Sequence, residues 1–222
     1  MKTTVNAGSL KNHFTYSWWK YILVLLAGTF LVNLLFTVTR PKIPEDKRID
    51  LYVIGYADQD KLNAWLEDVR QEDFPDLESV SSAVSVPDEA YGAMIVTTYF
   101  AAQEGDLYLL PRDQFLTYSA TGAFVPLEED QELMDIFNKA GLDLRRGWRT
   151  LSDSDETHLY GIPLEALPGL NSLCYVENGF LAVTIYNGNM DNVMKFCRLL
   201  CREMVTPPEQ TETAEESPSP AP

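Results

Sequence analysis

The sequence predicts an α/β domain with a mostly parallel sheet, carried behind a single N-terminal transmembrane helix. Three observations lead to this. Residues 21–39, YILVLLAGTFLVNLLFTVT, contain no charge. From Ile49 onward, short runs rich in β-branched and aromatic residues alternate three times with runs of helical period. Gly, Pro and Asp stand at the joints between them.

At about 1.5 Å of rise per residue, the uncharged run nearly matches a hydrocarbon core of roughly 30 Å. Trp18, Trp19 and Tyr21 stand at its amino end, where amphipathic rings favour the head-group level, and Lys20 can extend its stem outward. Thr37, Val38 and Thr39 supply no small-residue cleavage pattern, and the first cysteine is Cys174, so a retained signal-anchor is expected over residues 18–39. Only Thr29 and Asn33 interrupt the run with polar groups, too few for the polar face of a soluble core helix. An amide in hydrocarbon seeks a partner on another helix, so Asn33 keeps a membrane-protein partner open beside lipid itself. Both flanks are basic, with Lys2, Lys11 and Lys20 before the run and Arg40, Lys42, Lys47 and Arg48 after it. The short polar segment 1–17 and the surface-like carboxyl end then favour an N-terminus inside and a single-pass, extracytoplasmic domain at the cell membrane.

Residues 40–48 read as a stalk, because Pro and charge replace any hydrophobic period. The domain is expected over 49–205. Its first strand is IDLYVIGY (49–56), and Asp58 can cap a helix whose Leu62, Trp65, Leu66 and Val69 share one face. A second strand is expected at 77–86. Pro87 and Asp88 introduce a helix that runs to Ala102 and stops at Gly105. A third strand, DLYLLP (106–111), leads into a helix over 112–120 closed by Gly122. Strand followed by helix, repeated, argues for parallel βαβ units with helices on both faces of a sheet. Beyond them come a helix at 131–140 stopped by Gly141, strands at 158–162 and 180–186, and a closing helix at 191–204. The tail 206–222 has nothing to bury and reads as disordered.

Charge excludes several functions. The chain carries a net charge of -16, but residues 1–47 hold six basic and two acidic groups, +4, which leaves -20 on the remainder. A domain this acidic repels phosphate backbones, so nucleic acid is excluded as a partner. Cys174, Cys197 and Cys201 do not form a disulfide framework and are expected as small buried hydrophobes. His158, the domain's only histidine, lies near Asp153, Asp155 and Glu156 without metal-ligand spacing, and EEDQE (128–132) lacks the pattern of a calcium loop. No nucleophile elbow or phosphate loop is present, so neither a catalytic residue nor a metal or other cofactor is expected. RRGWR (145–149) is the one basic cluster, suited to a carboxylate, to a partner, or to pairing with neighbouring acids.

Three segments carry a resemblance. GDLYLLPRDQFLTYSATGAFVPLEE (105–129), LYGIPL (159–164) and AVTIYNGNMDNVMKFCRLL (182–200) are similar, in order, to segments of bacterial extracellular solute-binding proteins of ABC importers. The resemblance implies a periplasmic-binding-protein-like fold, non-catalytic binding, and a small solute as partner. It departs from the family in having room for about one lobe, and a transmembrane helix in place of a lipid anchor. An accessory or interaction protein with no small-molecule ligand is the alternative. In a parallel sheet, ligands approach the carboxyl ends of the strands. Those ends make Tyr56, Asp58, Pro111, Arg112, Asp113, Gly161 and Pro163 the candidate binding residues, with helix capping by Asp58 and Asp113 and partial burial of Tyr56 as the competing structural reading.

Overall fold

A computed structural model describes residues 7–39, 43–86, 92–152, 155–186 and 188–206. Two compact units divide the chain, Met1–Lys42 and Ile43–Pro222. In the first, helix α1 runs unbroken over Ala7–Thr39, beginning well before the apolar stretch. Its segment Trp18–Phe36 has a mean hydropathy of 1.8, is long and apolar enough to cross a membrane, and buries none of its residues within the chain. Trp18, Trp19, Lys20 and Asn33 all lie on this exposed segment. Thr29 returns its hydroxyl to the Leu25 carbonyl at 2.9 Å, so one of the two polar interruptions is satisfied inside the helix.

The second unit is a three-layer α/β structure. Strand β1 (Arg48–Ile54) lies between β3 (Ser79–Ser85) at the sheet edge and β4 (Leu107–Leu110) at its centre, both parallel to it. β4 is followed outward by β9 (Phe180–Val183) and β7 (Ile162–Pro163), giving the order β3-β1-β4-β9-β7. β9 is antiparallel to both neighbours, so four strands point one way and β9 the other. The sheet is thus mostly parallel, as expected, with one reversed strand whose direction the sequence pattern does not give.

Alternation along the central strands sorts the core into two layers. Leu107 and Leu109 of β4 and Leu181 and Val183 of β9 join the cluster that holds Leu62, Leu66 and Val69 of α2 (Gln59–Asp73). The same cluster holds Leu133 and Phe137 of α5 (Gln131–Ala140) and Val193, Phe196 and Leu200 of α6 (Met190–Met204). Tyr108, Leu110, Phe180 and Ala182 face the other way, toward Val96 of α3 (Gly92–Ala102) and Phe115 of α4 (Arg112–Ser119). Helices therefore cover both faces, as the alternation predicts.

Local chemistry sets the helix ends. The Asp58 carboxylate accepts the Lys61 amide at 3.3 Å at the start of α2, and Asp130 accepts the Leu133 amide at 2.9 Å at the start of α5. Gly141 ends α5 in the left-handed region, with φ 66°. The predicted helix start at Pro87 and Asp88 lies outside the described residues, as does the tail from 207 onward. The single strand expected at 158–162 is in fact two. β6 (Thr157–Leu159) pairs with β5 (Trp148–Thr150) in a separate hairpin, while β7 enters the main sheet. Cys174, Cys197 and Cys201 are buried and free of disulfides.

Candidate functional site

The order of strands positions a crevice. β1 leads into α2 on one face and β4 into α4 on the other, so the two chain paths diverge where these neighbouring strands end. That is a topological switch point, the place where open α/β sheets receive ligands. A cleft of about 530 Å³ lies there, lined by Ile54, Gly55 and Tyr56 after β1, by Pro111, Arg112 and Asp113 after β4, and by Tyr175, Glu177 and Asn178.

The third group comes from a long-range strand pair that sequence reading missed. β2 (Tyr56–Ala57) pairs antiparallel with β8 (Cys174–Tyr175), so Tyr56 and Tyr175 stand directly opposite each other. Both rings are exposed, at 58% and 57%. Gly55 makes the approach possible: a Cβ there would lie 2.4 Å from the Tyr175 carbonyl oxygen and 2.7 Å from Val176 Cγ2. Asn178 holds a left-handed φ of 48°, which turns the chain from β8 toward β9. The dipeptide Asn178-Gly179 between two apolar runs is the signal that could have revealed this turn. A second cleft of about 350 Å³ continues past Tyr175, Glu177 and Asn178 to Leu164, Glu165 and Asn171.

Four of the seven candidate residues, Tyr56, Pro111, Arg112 and Asp113, meet in this cleft. Asp58 caps α2 and pairs with Lys61 at 2.9 Å, whose hydrogen bond holds its carboxyl below the usual carboxylate range. Pro163 is buried in β7 opposite Phe180. Gly161 is buried against Phe115, with no room for a Cβ, which would lie 2.6 Å from that ring. Neither lines the cleft.

The acidic surroundings of His158 resolve into a clamp. Glu128 receives the His158 Nδ1 contact at 2.5 Å through one oxygen and the Leu159 amide at 2.9 Å through the other, fixing β6 to the turn that follows Pro126. The hydrogen bond to Glu128, with a further charge from Glu156, raises the histidine's pKa above 6.5. Among the described residues, no group of three or more His, Cys, Asp or Glu side chains is placed to hold a metal. The basic cluster at 145–149 divides: Arg145 pairs with Asp143 at 2.6 Å and Arg146 with Glu165, while Arg149 has no acidic partner among the described residues.

No family model matches the chain, and no curated protein matches it. Among solved structures, it is similar to an extracellular solute-binding protein family 1 from Alicyclobacillus acidocaldarius, 13% identical, TM-score 0.37, covering 52% of this chain and 27% of that one. Maltose-bound MalE3 of T. maritima is 18% identical, TM-score 0.38, covering 52% and 28%. The N-glycan transport solute binding protein NgtS from Streptococcus pneumoniae, in complex with Man1GlcNAc, is 19% identical, TM-score 0.36, covering 52% and 24%. The chain therefore spans about a quarter of the length of these structures.

Proposed function

We propose that the chain is a membrane-tethered, extracytoplasmic and non-catalytic domain that binds a small solute in the cleft between the ends of β1 and β4. The observation that carries this reading is the convergence of two opposed, exposed tyrosines with Arg112, Asp113, Glu177 and Asn178 around one concavity at the switch point. A concave site with aromatic faces and a few polar groups of both signs is built to orient a ligand. The one histidine of the domain supports the non-catalytic reading, because its ring is engaged by Glu128 away from the cleft. The tether rests on the exposed apolar segment Trp18–Phe36.

The test is a thermal-shift panel of sugars, short peptides and cations on the full chain in detergent micelles. A ligand that binds the native state raises its apparent stability. A rise with one class that disappears in Tyr175→Ala supports the reading. A rise unaffected by Tyr175→Ala and Tyr56→Ala places the ligand elsewhere and refutes it. Proteolysis of intact cells tests the orientation, since an uncut acidic domain would put it on the inner side.

A further inference from the structure

The two edges of the main sheet differ in kind. At one, β7 is a two-residue strand, Ile162–Pro163, buried along its length and ending in a proline that cannot donate to a further strand. At the other, β3 presents seven residues, SVSSAVS, and among the described residues no strand pairs with its outer side. Sheet edges are ordinarily blunted by charge, proline, a bulge or shortness. β3 carries neither charge nor proline, and its register with β1 runs without a bulge over its whole length. After residue 47 the chain holds 31 acidic and 11 basic residues, so an uncharged edge of this length is an exception.

The backbone of β3 has a defined outward side. Ser85 turns its carbonyl toward β1, where it accepts the Gly55 amide at 2.9 Å. Backbone groups alternate along a strand, so Ser79, Ser81, Ala83 and Ser85 direct theirs to β1, and the N–H and C=O of Val80, Ser82 and Val84 point to the open edge. Side chains alternate as well. On the α2 face, Ser82 Oγ donates to Asn63 Oδ1 at 3.1 Å, Val80 is buried in the core and Val84 packs half-buried against it. On the other face, Ser81 Oγ donates to Asp50 Oδ1 at 2.6 Å.

This edge is complementary to itself. SVSSAVS reads nearly alike in both directions about Ser82, and Ser82 is also the middle one of the residues whose backbone faces outward. Laid antiparallel on a copy of itself, the strand sets Ser82 opposite Ser82 and Val80 opposite Val84, and each such pair exchanges both of its backbone hydrogen bonds. Between them Ser81 meets Ala83 and Ser79 meets Ser85, so no charge opposes another, and the β-branched pairs add to the contact. A two-fold interface demands a patch that fits its own copy, which an edge that receives an unrelated peptide does not need. We propose that two copies of this chain join antiparallel through β3, about a two-fold axis at Ser82, into one continuous sheet. No residue of β3 lines the cleft, so the contact is separate from the solute site. A seven-residue strand pair is a small interface, and confinement of both copies to one membrane raises their effective concentration.

Cysteine substitutions in the full chain, reconstituted in phosphatidylcholine vesicles, test the register. At the axis, the two Cα atoms of Ser82→Cys stand about 5.5 Å apart, within the span of about 4.4–6.8 Å that a disulfide bridges. Ser79→Cys lies six positions from its own copy along the partner strand, roughly 20 Å away. Cys174, Cys197 and Cys201 are buried, and the unsubstituted chain serves as the blank. Mild oxidation should link Ser82→Cys into dimers at least about tenfold more than Ser79→Cys. Equal linking of the two, or none by Ser82→Cys, overturns the proposal. Förster transfer between donor- and acceptor-labelled chains in the same vesicles supplies the second reading. Ser82→Lys sets like charges directly opposite at the axis and should abolish the transfer, while circular dichroism confirms the fold. Ser82→Pro, which removes only an outward N–H, takes its place if the lysine variant unfolds. Transfer that persists in a folded variant places the contact on another surface and overturns the β3 dimer, as does its absence in the unsubstituted chain.

Discussion

Asp50 and Asp106 hold each other with two hydrogen bonds at the amino ends of β1 and β4: the Asp50 amide donates to the Asp106 carboxylate Oδ2 at 2.8 Å, and the Asp106 amide donates to the Asp50 carbonyl at 3.0 Å. Burial pushes the Asp106 carboxyl up to about 6, although the Asp50 amide and Arg48 pull it down. An unfolded aspartate titrates at about 3.9. Between these values the native state holds the proton that the unfolded state has released, so stability falls as pH rises from about 4 to about 6. Asp106→Asn keeps an oxygen for the Asp50 amide and removes the charge. At pH 7 it should stabilise the domain by about 1–2 kcal/mol, partial exposure reducing a full-shift value of about 3 kcal/mol. Urea unfolding at pH 4.5 and 7 measures this, and equal midpoints for wild type and variant at pH 7 would refute it.

His158 titrates with the same sign at higher pH. Its folded pKa lies above 6.5 because Glu128 stabilises the imidazolium, so its contribution is fully present below about 6.5 and is lost as pH rises through the folded value. Glu128→Gln keeps an acceptor for the Leu159 amide but loses the charge. The His158 resonance in a proton NMR titration should then shift its midpoint toward 6.5. An unchanged midpoint would show that Glu128 does not set it.

Gly55→Ala should lower stability by about 1–3 kcal/mol, the range for overpacking, because the new methyl meets the backbone of Tyr175. The same change should part β2 from β8 and abolish ligand binding. A variant that melts with the wild type and still binds would contradict the tight approach.

Tyr56→Ala and Tyr175→Ala should separate binding from stability. Both rings are more than half exposed, so each change should stay within about 0.5 kcal/mol in chemical unfolding. Ligand affinity should fall at least about tenfold for either one. A large loss of stability would instead make the rings structural.

The apolar helix should hold the chain in membranes through an alkaline carbonate wash, and a chain lacking residues 18–36 should appear in the supernatant. Recovery of the full chain in the supernatant would remove the tether.

Helix boundaries were the most legible part of the fold, for physical reasons. α5 occupies Gln131–Ala140 because Asp130, four periodic apolar residues and Gly141 each act locally and in agreement. The direction of β9 was not legible, since FLAV is buried on both faces and such a run reads alike in either direction. The break at Gly161 was hidden for a similar reason: Leu159 and Ile162 are both apolar, and only tertiary contact with Phe115 shows that they serve different sheets. Half of the cleft followed from strand ends, through Tyr56, Pro111, Arg112 and Asp113. Tyr175, Glu177 and Asn178 reach it from 60 or more residues away in the chain, a separation that periodicity does not register.

The closing position of α6 has a bearing on how the protein is made. Val193, Phe196, Cys197, Leu200 and Cys201 are all fully buried, and Glu203 accepts the Trp65 indole N–H at 2.8 Å across 138 positions of sequence. The first strands and helices therefore lack their covering layer until the last turn of α6 has left the ribosome. During synthesis their apolar faces stay open to solvent and to other chains, a state that favours aggregation unless a chaperone shields it. The apolar helix Trp18–Phe36 precedes the domain in the chain and so leaves the ribosome before α6 can close the core.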